Sequence, residues 1–519
     1  MKKRGLKETE IMIIIFSSAL LVRWIAVLQT PVIARDTILY IKAAKLYYTG
    51  GFLEGYRACP FSIFPLLLSF LYPLFGDWVK AGQWLSATCG ALTVVPLYLL
   101  ARRIFDKEIA LAGSLFYILC PDLVRYSAEV LRDIPFLFLY LVTVWLGYKG
   151  IKDDKKLPLL LAGLFIPVAT FLRREGSLLL PILTFYILWL ALKKTISMRK
   201  ALICWGAITV FCFLSMSLPF LAKKPSFASH LIIKIRSELI SGLKNPASRV
   251  KDLDEKLDRA EFTPYQKRFF QLAQKYSLTV YLSHMIYKTI KPFSIPLFLL
   301  FLFGVFKRRT VSYRVDEFIL LIAYVAFEGA FLVHLNCTSC LSTRYPLPLV
   351  ALSLIWSGAG FVELRERVKS WLGRKDFRWR VTVMKNLNLI ILLLVCIPLL
   401  SLALAPHRKD KLELKEIGIW LKEHGLANTV ILGQKEFDRL AFYAGCDFVL
   451  LGKGRYKDIL RIAKSRGARI LVINARSIER FFPDFWEKLS PEDMKRVEIP
   501  DIKTPKYATT VFLLKTSGE

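Results

Sequence analysis

Residues 1–405 contain almost none of the apolar–polar alternation that builds half-buried strands. This absence excludes a sheet as the main architecture of that region. Acidic residues are also scarce, with 41 Asp and Glu against 74 Lys and Arg, which gives a net charge of +33. No nucleic-acid-binding motif accompanies this positive charge. The polar C-terminal part lacks a glycine-rich phosphate loop, so it shows no sign of a nucleotide site.

Long apolar runs dominate what is present. The chain has 519 residues, of which 55% are apolar, and its mean hydropathy is +0.43. One soluble core cannot bury so much apolar sequence, and runs of about 18 residues are long enough to cross a bilayer as helices. The sequence therefore predicts a mainly α-helical, polytopic membrane protein with about eleven spans, near 11–29, 79–100, 108–121, 133–149, 157–172, 177–193, 201–221, 292–306, 317–335, 345–361 and 384–405.

The short loops predict the orientation of these spans. Runs rich in Lys and Arg, such as MKKRGLK, ARRIFDKE and KGIKDDKK, all fall on one side, which identifies that side as cytoplasmic. The N-terminus is then inside, and the first span, which no cleavage site follows, is a retained anchor. Segments 30–78, 222–291 and 406–519 lie outside. Basic residues occur on both faces, so nucleic acid is excluded as a partner and membrane lipids are expected ones.

The tail changes character at residue 406. The run LKEIGIWLKEHGLANTVILG predicts a helix stopped by Gly425 and followed by a strand, and YKDILRIAKSRGARILVINA repeats this pattern with Gly467. Such alternation indicates a small α/β domain. We therefore predict two domains, a membrane domain at 1–405 and an extracytoplasmic α/β domain at 406–519. The second is interpreted as an accessory or docking domain.

An unusual helix follows the first span. In ARDTILYIKAAKLYYTGGF, helical spacing puts Lys42, Lys45 and Thr49 on a narrow polar stripe opposite a wide apolar face. Such a helix lies flat in the membrane interface. The segment PFSIFPLLLSFLYPLFG (60–76) is apolar but interrupted by prolines, which predicts a second interfacial or re-entrant helix. Asp36 stands at the mouth of this shelf, and helix capping is the structural alternative for its role.

These stretches resemble a known family. Asp36 and Tyr40 in DTILYIKAAK, the following GGF, the 60–76 segment and ARRIFD resemble the first third of the GT-C membrane glycosyltransferases. The similar group includes the lipid A aminoarabinose transferases and the protein O-mannosyltransferases. LRREGSLLLP (172–181) resembles the family's R-x-E-G segment, and TRYPLPLVALSL (343–354) resembles its late R-Y-x-x-P segment. The resemblance covers roughly residues 8–405.

The resemblance implies a GT-C fold and an inverting glycosyl transfer outside the membrane. The implied donor is a polyprenyl-phosphate sugar, and the implied acceptor is a hydroxyl on a lipid, protein or glycan. Asp36 matches the family's base position, where a carboxylate takes the proton of the attacking hydroxyl. Many relatives have a second acid after this aspartate, whereas Thr37 stands here. No cofactor is certain and a divalent metal stays open. A bacterial inner membrane is the expected location.

Fixed cations are expected to stabilise the leaving phosphate. Arg344 and Arg174 rank first because they lie inside the family-like motifs, and anchoring to lipid headgroups is the alternative for any single arginine. Acids on the second outer turn, PDLVRYSAEVLRDIP (121–135), are candidate sugar or acceptor contacts, with a local ion pair as the alternative. The full set of predicted binding residues is Tyr40, Arg57, Glu129, Arg132, Asp133, Arg174, Glu175, Arg344 and Tyr345; the further outer cations are Arg125 and Arg173.

Other interpretations have their own signatures. A transporter or lipid flippase is the alternative function, since such proteins carry internal repeats and several ionisable residues at the midplane. The sequence shows no convincing repeat, and Glu328 is the main charge inside a span. His334, Cys337 and Cys340 form an H-x-x-C-x-x-C pattern, for which a zinc site, a disulfide and an ordinary turn are all open.

Overall fold

The chain forms two compact units. The computed structural model describes residues 7–221, 263–308, 312–374, 380–499 and 508–515, so residues 222–262 of the predicted outer segment 222–291 lie outside the described part. One unit, the helical unit, comprises Met1–Ala26, Pro60–Phe64 and Gly82–Ala405. The other, the mixed unit, comprises Val27–Cys59, Pro65–Ala81 and Pro406–Glu519.

Apolar helices confirm the membrane fold. Eight helices in the described residues are long and apolar enough to cross a bilayer: Glu8–Leu28, Trp78–Ile104, Asp133–Asp153, Arg174–Leu192, Met198–Ser217, Val315–Thr338, Leu347–Gly373 and Asn386–Ala403. Two bent pairs raise the count to ten if each is one span: Lys107–Leu119 with Pro121–Ser127, and Ser277–Phe293 with Ile295–Phe306. The sequence predicted about eleven spans. The remaining one, Lys156–Leu172, is a shorter apolar helix of 17 residues.

The two bends have local causes. Cys120 precedes Pro121 and adopts an extended conformation, with φ −62° and ψ 116°, because the proline ring disfavours the helical region for the residue before it. The first pair bends there by 56°. Ser294, at φ 65°, ends the helical path before Ile295, and that pair bends by 107°. Hydropathy alone does not register either break.

Glycines allow the central helix to approach its neighbours closely. Leu347–Gly373 is 94% buried over its most apolar window. A Cβ at Gly360 would lie 1.8 Å from the carbonyl oxygen of Leu300, and a Cβ at Gly304 would lie 1.8 Å from that of Trp356. On another face, a Cβ at Gly358 would lie 2.6 Å from the carbonyl oxygen of Ile109. Backbone-to-backbone packing through small residues is the usual way that apolar helices associate in lipid.

Several ion pairs join residues that are predicted to lie on the same side of the membrane. Among residues predicted to be cytoplasmic, Arg103 pairs with Asp153 at 3.0 Å. Further pairs in that set are Lys152–Asp316, Arg308–Glu317, Arg365–Glu108 and Arg102–Glu8. Among residues predicted to be external, Arg173 pairs with Asp133 and Glu175. This sorting supports the alternating path of the chain. Which set faces the cytoplasm stays a prediction.

The mixed unit contains a five-stranded sheet. Its strands are β1 (Val430–Gly433), β2 (Asp447–Leu450), β3 (Ala468–Asn474), β4 (Met494–Val497) and β5 (Thr509–Leu514), in the order β2-β1-β3-β5-β4. β1 is parallel to β2 and β3, whereas β5 is antiparallel to β3 and β4. Gly425 and Gly467, at φ +76° and +62°, follow helices Leu412–Glu423 and Tyr456–Arg466. The predicted α/β fold of the tail is confirmed.

β3 shows how both faces of the sheet are covered. Leu471 and Ile473 join one buried cluster with Ile459 of helix Tyr456–Arg466. Ile470 and Val472 join a second cluster with residues of helices Leu412–Glu423 and Asp438–Ala444. Successive residues of a strand point to opposite faces, so this continuous apolar strand lies between two helical layers.

Three further helices precede or flank the second span. They are Arg35–Tyr48, Phe52–Ala58 and Phe64–Phe75. In the first of them, Lys42 and Lys45 of the predicted polar stripe are exposed, and Tyr40 and Ala43 of the predicted apolar face are buried. Leu39, on the same apolar face, is 46% exposed. In Phe64–Phe75, Phe70 and Leu74 are exposed, which suits a helix at a lipid interface.

We predict that Gly304→Ala destabilises the helical unit, because the added methyl group would displace the backbone of the central helix. The expected loss is about 1–3 kcal/mol or more, as for other overpacked cores. The matched control is Gly206→Ala, since a Cβ at Gly206 meets no described atom within 4 Å. Thermal unfolding of the purified variants in detergent measures both effects. Equal midpoints for the two variants would contradict the close helix contact.

Candidate functional site

A buried arginine forms the centre of the predicted external charge set. Arg173 is 6% exposed and lies in extended backbone between helix Lys156–Leu172 and the short 3-10 helix Arg174–Leu178. Its Nε and Nη2 donate to the two carboxylate oxygens of Glu175, at 3.2 and 2.6 Å. Its Nη1 donates to Oδ1 of Asp133. Paired hydrogen bonds of this kind fix the guanidinium plane as well as its charge.

Two residues of the late R-Y-x-x-P segment join this centre. Nε of Arg344 lies 3.8 Å from Oδ1 of Asp133, the same oxygen that accepts from Arg173. The ring of Tyr345 lies beside Arg173, whose Cζ is 4.4 Å from the ring centroid. Asp133 therefore holds two guanidinium groups from different helix ends. We call Asp133, Arg173, Glu175, Arg344 and Tyr345 the arginine cluster.

Opposite charges keep Arg173 charged despite its burial. Desolvation by itself would lower the pKa of Arg173, but the carboxylates of Glu175 and Asp133 outweigh it and hold that pKa above its ordinary value. Arg344 balances the second carboxylate, and its side chain is 22% exposed. Arg132 lies close enough to Glu175 to act on its charge. The cluster thus combines internally compensated charges with a cation that reaches solvent.

Glu129 lies near the same centre. It is 2% exposed and follows the bent helix Pro121–Ser127. Both Glu129 and Arg344 act electrostatically on Tyr126, whose hydroxyl lies 2.9 Å from that of Thr343. The second outer turn and the late motif therefore meet, as the sequence predicted for residues on the same face.

Three predicted residues lie in the mixed unit. Asp36 is half-buried in the first turn of helix Arg35–Tyr48, and Tyr40 is buried one turn further on. Asp36 does not occupy the N-cap position, because the residue before the helix is Ala34, which makes no side-chain cap. A carboxylate in the first turn is still favoured by the helix dipole. Arg57 is exposed in the last turn of Phe52–Ala58.

Two neighbouring arginines, both predicted to lie outside, have different surroundings. Arg174, placed first by the family-like motif, is exposed, whereas its neighbour Arg173 lies in the cluster. Nothing in the sequence signals this difference, because it depends on the change from extended backbone at Arg173 to the 3-10 helix that begins at Arg174. Arg125 instead donates to the carbonyl of Leu402, at 3.1 Å.

In the described residues, neither Glu328 nor the H-x-x-C-x-x-C pattern forms a recognisable chemical site. The carboxylate of Glu328 accepts a hydrogen bond of 2.9 Å from the hydroxyl of Thr289. Cys337 and Cys340 are free thiols, so the disulfide alternative is wrong. Within the described residues, no three His, Cys, Asp or Glu side chains are arranged to hold a metal ion, which also removes the zinc alternative for His334 and the two cysteines.

We predict that Arg173→Gln is strongly destabilising. It leaves the carboxylates of Asp133 and Glu175 without their buried cation, and breaking such a pair costs about 3–5 kcal/mol. Arg174→Gln removes the same charge from an exposed side chain, so its cost is expected within about 1 kcal/mol. Unfolding midpoints in detergent compare the two variants. Similar losses for both would contradict the assignment of the cluster's centre to Arg173.

Comparison with known proteins addresses the predicted resemblance. Residues 61–219 match the model of the family described as dolichyl-phosphate-mannose-protein mannosyltransferase. This match covers less than half of the chain. A comparison with curated protein sequences finds no match.

Solved structures extend the likeness to nearly the whole chain. ArnT from Cupriavidus metallidurans bound to undecaprenyl phosphate matches with a TM-score of 0.57 and 13% identity, over 98% of this chain and 99% of that one. The apo structure of the same protein matches with a TM-score of 0.57 and 14% identity, over 97% of this chain and 98% of that one. The oligosaccharyltransferase of Archaeoglobus fulgidus in complex with Zn and sulfate matches with a TM-score of 0.53 and 13% identity, over 89% of this chain and 68% of that one. The chain thus has an ArnT-like fold, and the GT-C resemblance predicted from its sequence is confirmed.

Proposed function

We propose that the protein is an inverting glycosyltransferase of the membrane. It transfers a sugar from a polyprenyl-phosphate donor to a hydroxyl acceptor on the external face, and its α/β domain is extracytoplasmic. The family match over 61–219 and the ArnT-like fold support glycosyl transfer from a lipid-linked donor. The observation that carries the proposal is the arginine cluster, in which carboxylates order buried Arg173 and partly exposed Arg344 where helices of the same predicted sidedness end.

The arginine cluster suits the leaving group of this reaction. As the glycosidic bond breaks, negative charge develops on the lipid phosphate, and ordered cations in a poorly hydrated site stabilise it without reorganising. Arg173 is occupied by two carboxylates, so its role is to hold Asp133 and Glu175 in place. Asp133 in turn positions Arg344. Arg344, helped by Arg132 and Arg174, supplies the positive charge that meets the phosphate.

Asp36 is proposed as the base. A hydroxyl is a weak nucleophile, and a carboxylate that accepts its proton as the new bond forms lowers the barrier. Because threonine, Thr37, stands where many relatives have a second acid, this chain offers no second carboxylate at that position. Thr37 is also completely buried. Tyr40 and Arg57 belong to the same outer segment and are proposed substrate contacts.

The acids of the second outer turn are proposed to bind the sugar or the acceptor. Glu129 is buried beside Tyr126, and Asp133 is engaged by two arginines. Asp133 acts through the cations that it orients, and Glu129 is proposed as the direct contact because it lies beside Tyr126 on the same turn without belonging to the arginine cluster.

The direct test is transfer by the purified protein. Detergent-solubilised protein is incubated with a panel of polyprenyl-phosphate sugars and candidate acceptors, and release of the free lipid phosphate is measured. We expect release with at least one donor, and Asp36→Asn to lower the rate by about 10²–10⁴-fold, the usual contribution of a general base.

Folding of Asp36→Asn is checked by its elution profile and its unfolding midpoint. A folded Asp36→Asn protein with full activity would remove the base assignment. Movement of intact donor across vesicle membranes without lipid-phosphate release would instead identify the flippase alternative.

A further inference from the structure

The segment that leads into Asp36 is held by the α/β domain of the same unit. The carbonyl of Gln29 accepts from the backbone N–H of His407 at 3.1 Å, and that of Pro31 accepts from Nζ of Lys415 at 3.0 Å. Gln29 and Pro31 lie six and four positions before Arg35, the first residue of the helix that carries Asp36. They join residues almost 400 positions apart in the sequence.

The contacts at residue 33 are closer and more specific. The N–H of Ile33 donates to the hydroxyl of Tyr443 at 2.9 Å, and its carbonyl accepts from Nε of Arg439 at 3.0 Å. Both backbone groups of one residue are thus satisfied by side chains of helix Asp438–Ala444. A third residue of this helix, Asp438, pairs with Nε of Arg35. Arg35 immediately precedes Asp36.

Burial makes these contacts costly to lose. Val32, Ile33 and Ala34 are 0–5% exposed and Arg439 is 7% exposed. Leaving a backbone group unpaired in so buried a place costs its full desolvation free energy, about 1–3 kcal/mol. Residues 31–34 belong to neither a helix nor a strand, so regular backbone hydrogen bonding does not fix their path. Its path therefore depends on Arg439 and Tyr443.

We propose that the α/β domain positions the catalytic base. Asp438, Arg439 and Tyr443, which we call the clamp, fix the backbone and the side chain directly before Asp36, so they set where its carboxylate points. This inference rests on the proposed function, and it assigns the domain a role within the reaction in place of general docking. A base misplaced by about 1 Å loses up to roughly 10²-fold in rate, so a distant support of this kind affects catalysis.

The test uses full-length protein with Tyr443→Phe and Asp438→Asn. Tyr443→Phe removes the acceptor for the Ile33 N–H and keeps the ring, and Asp438→Asn removes the negative charge that pairs with Arg35. Asp447→Asn is the matched control, because Asp447 is exposed on β2 of the same domain and lies outside helix Asp438–Ala444. Asp438→Glu, which keeps the carboxylate, is the conservative variant.

Two readouts separate positioning from general stability. Hydrogen exchange of peptides covering 30–41 is expected to become several-fold faster in Tyr443→Phe and Asp438→Asn, with the rest of the α/β domain unchanged. In the transfer assay, kcat is expected to fall about 10- to 100-fold while KM for the donor stays within about twofold. Asp447→Asn should match the wild-type protein, and Asp438→Glu should recover part of kcat.

The outcomes are distinguishable. Unchanged exchange at 30–41 in both clamp variants overturns the inference whatever the activity. Unchanged kcat in the clamp variants, with Asp36→Asn inactive, also overturns it and leaves the proposed function standing. Full activity of Asp36→Asn, with faster exchange in the clamp variants, refutes the base assignment and with it the catalytic role of the clamp.

Discussion

A buried guanidinium is stable only while it is paired with its carboxylates, and one end of the helical unit is arranged around that requirement. Arg173 lies at the break after helix Lys156–Leu172, where it binds Glu175 from the next turn and Asp133 from the start of another helix. Removing one partner would leave a charge in a dry place at a cost of several kcal/mol. Three helix ends are thereby tied to one point, and Arg344 is placed beside them.

Packing deeper in the helical unit serves the same arrangement. Leu347–Gly373 begins just after Arg344 and Tyr345, so its position sets theirs. Gly358 and Gly360 let this helix approach two neighbours at backbone distance, which leaves it little freedom to slide or rotate. Close packing of small residues at the centre and charge pairing at the end therefore act together. Close packing makes the helix rigid in lipid, and charge pairing orients the arginine side chains.

Hydropathy was sufficient to predict the membrane fold, because each span needs a long apolar run and few polar residues interrupt it. It failed at Cys120 and Ser294, where a local backbone preference bends a helix without changing its composition. The α/β fold of the tail was also predictable, since Gly425 and Gly467 end amphipathic helices before apolar strands. The order of the strands was not, because it depends on long-range pairing.

The candidate site was only partly predictable for the same reason. Motif resemblance singled out Asp133, Glu175, Arg344 and Tyr345, but it did not indicate that Arg173 is the buried arginine that joins them, since a motif does not say which way a side chain points. Nothing local to Asp36 indicated the clamp. Asp438, Arg439 and Tyr443 form a short helical run that has meaning only once the chain brings it to Ile33 and Arg35.

The central claim is that the arginine cluster receives the phosphate of a lipid-linked donor. An experimental structure of the protein with bound polyprenyl phosphate tests it most directly. The account predicts phosphate density within hydrogen-bonding distance of the Arg344 guanidinium, with Arg173 still bound to Asp133 and Glu175. Phosphate density at the opposite charged end, beside Arg103 and Asp153, would contradict it.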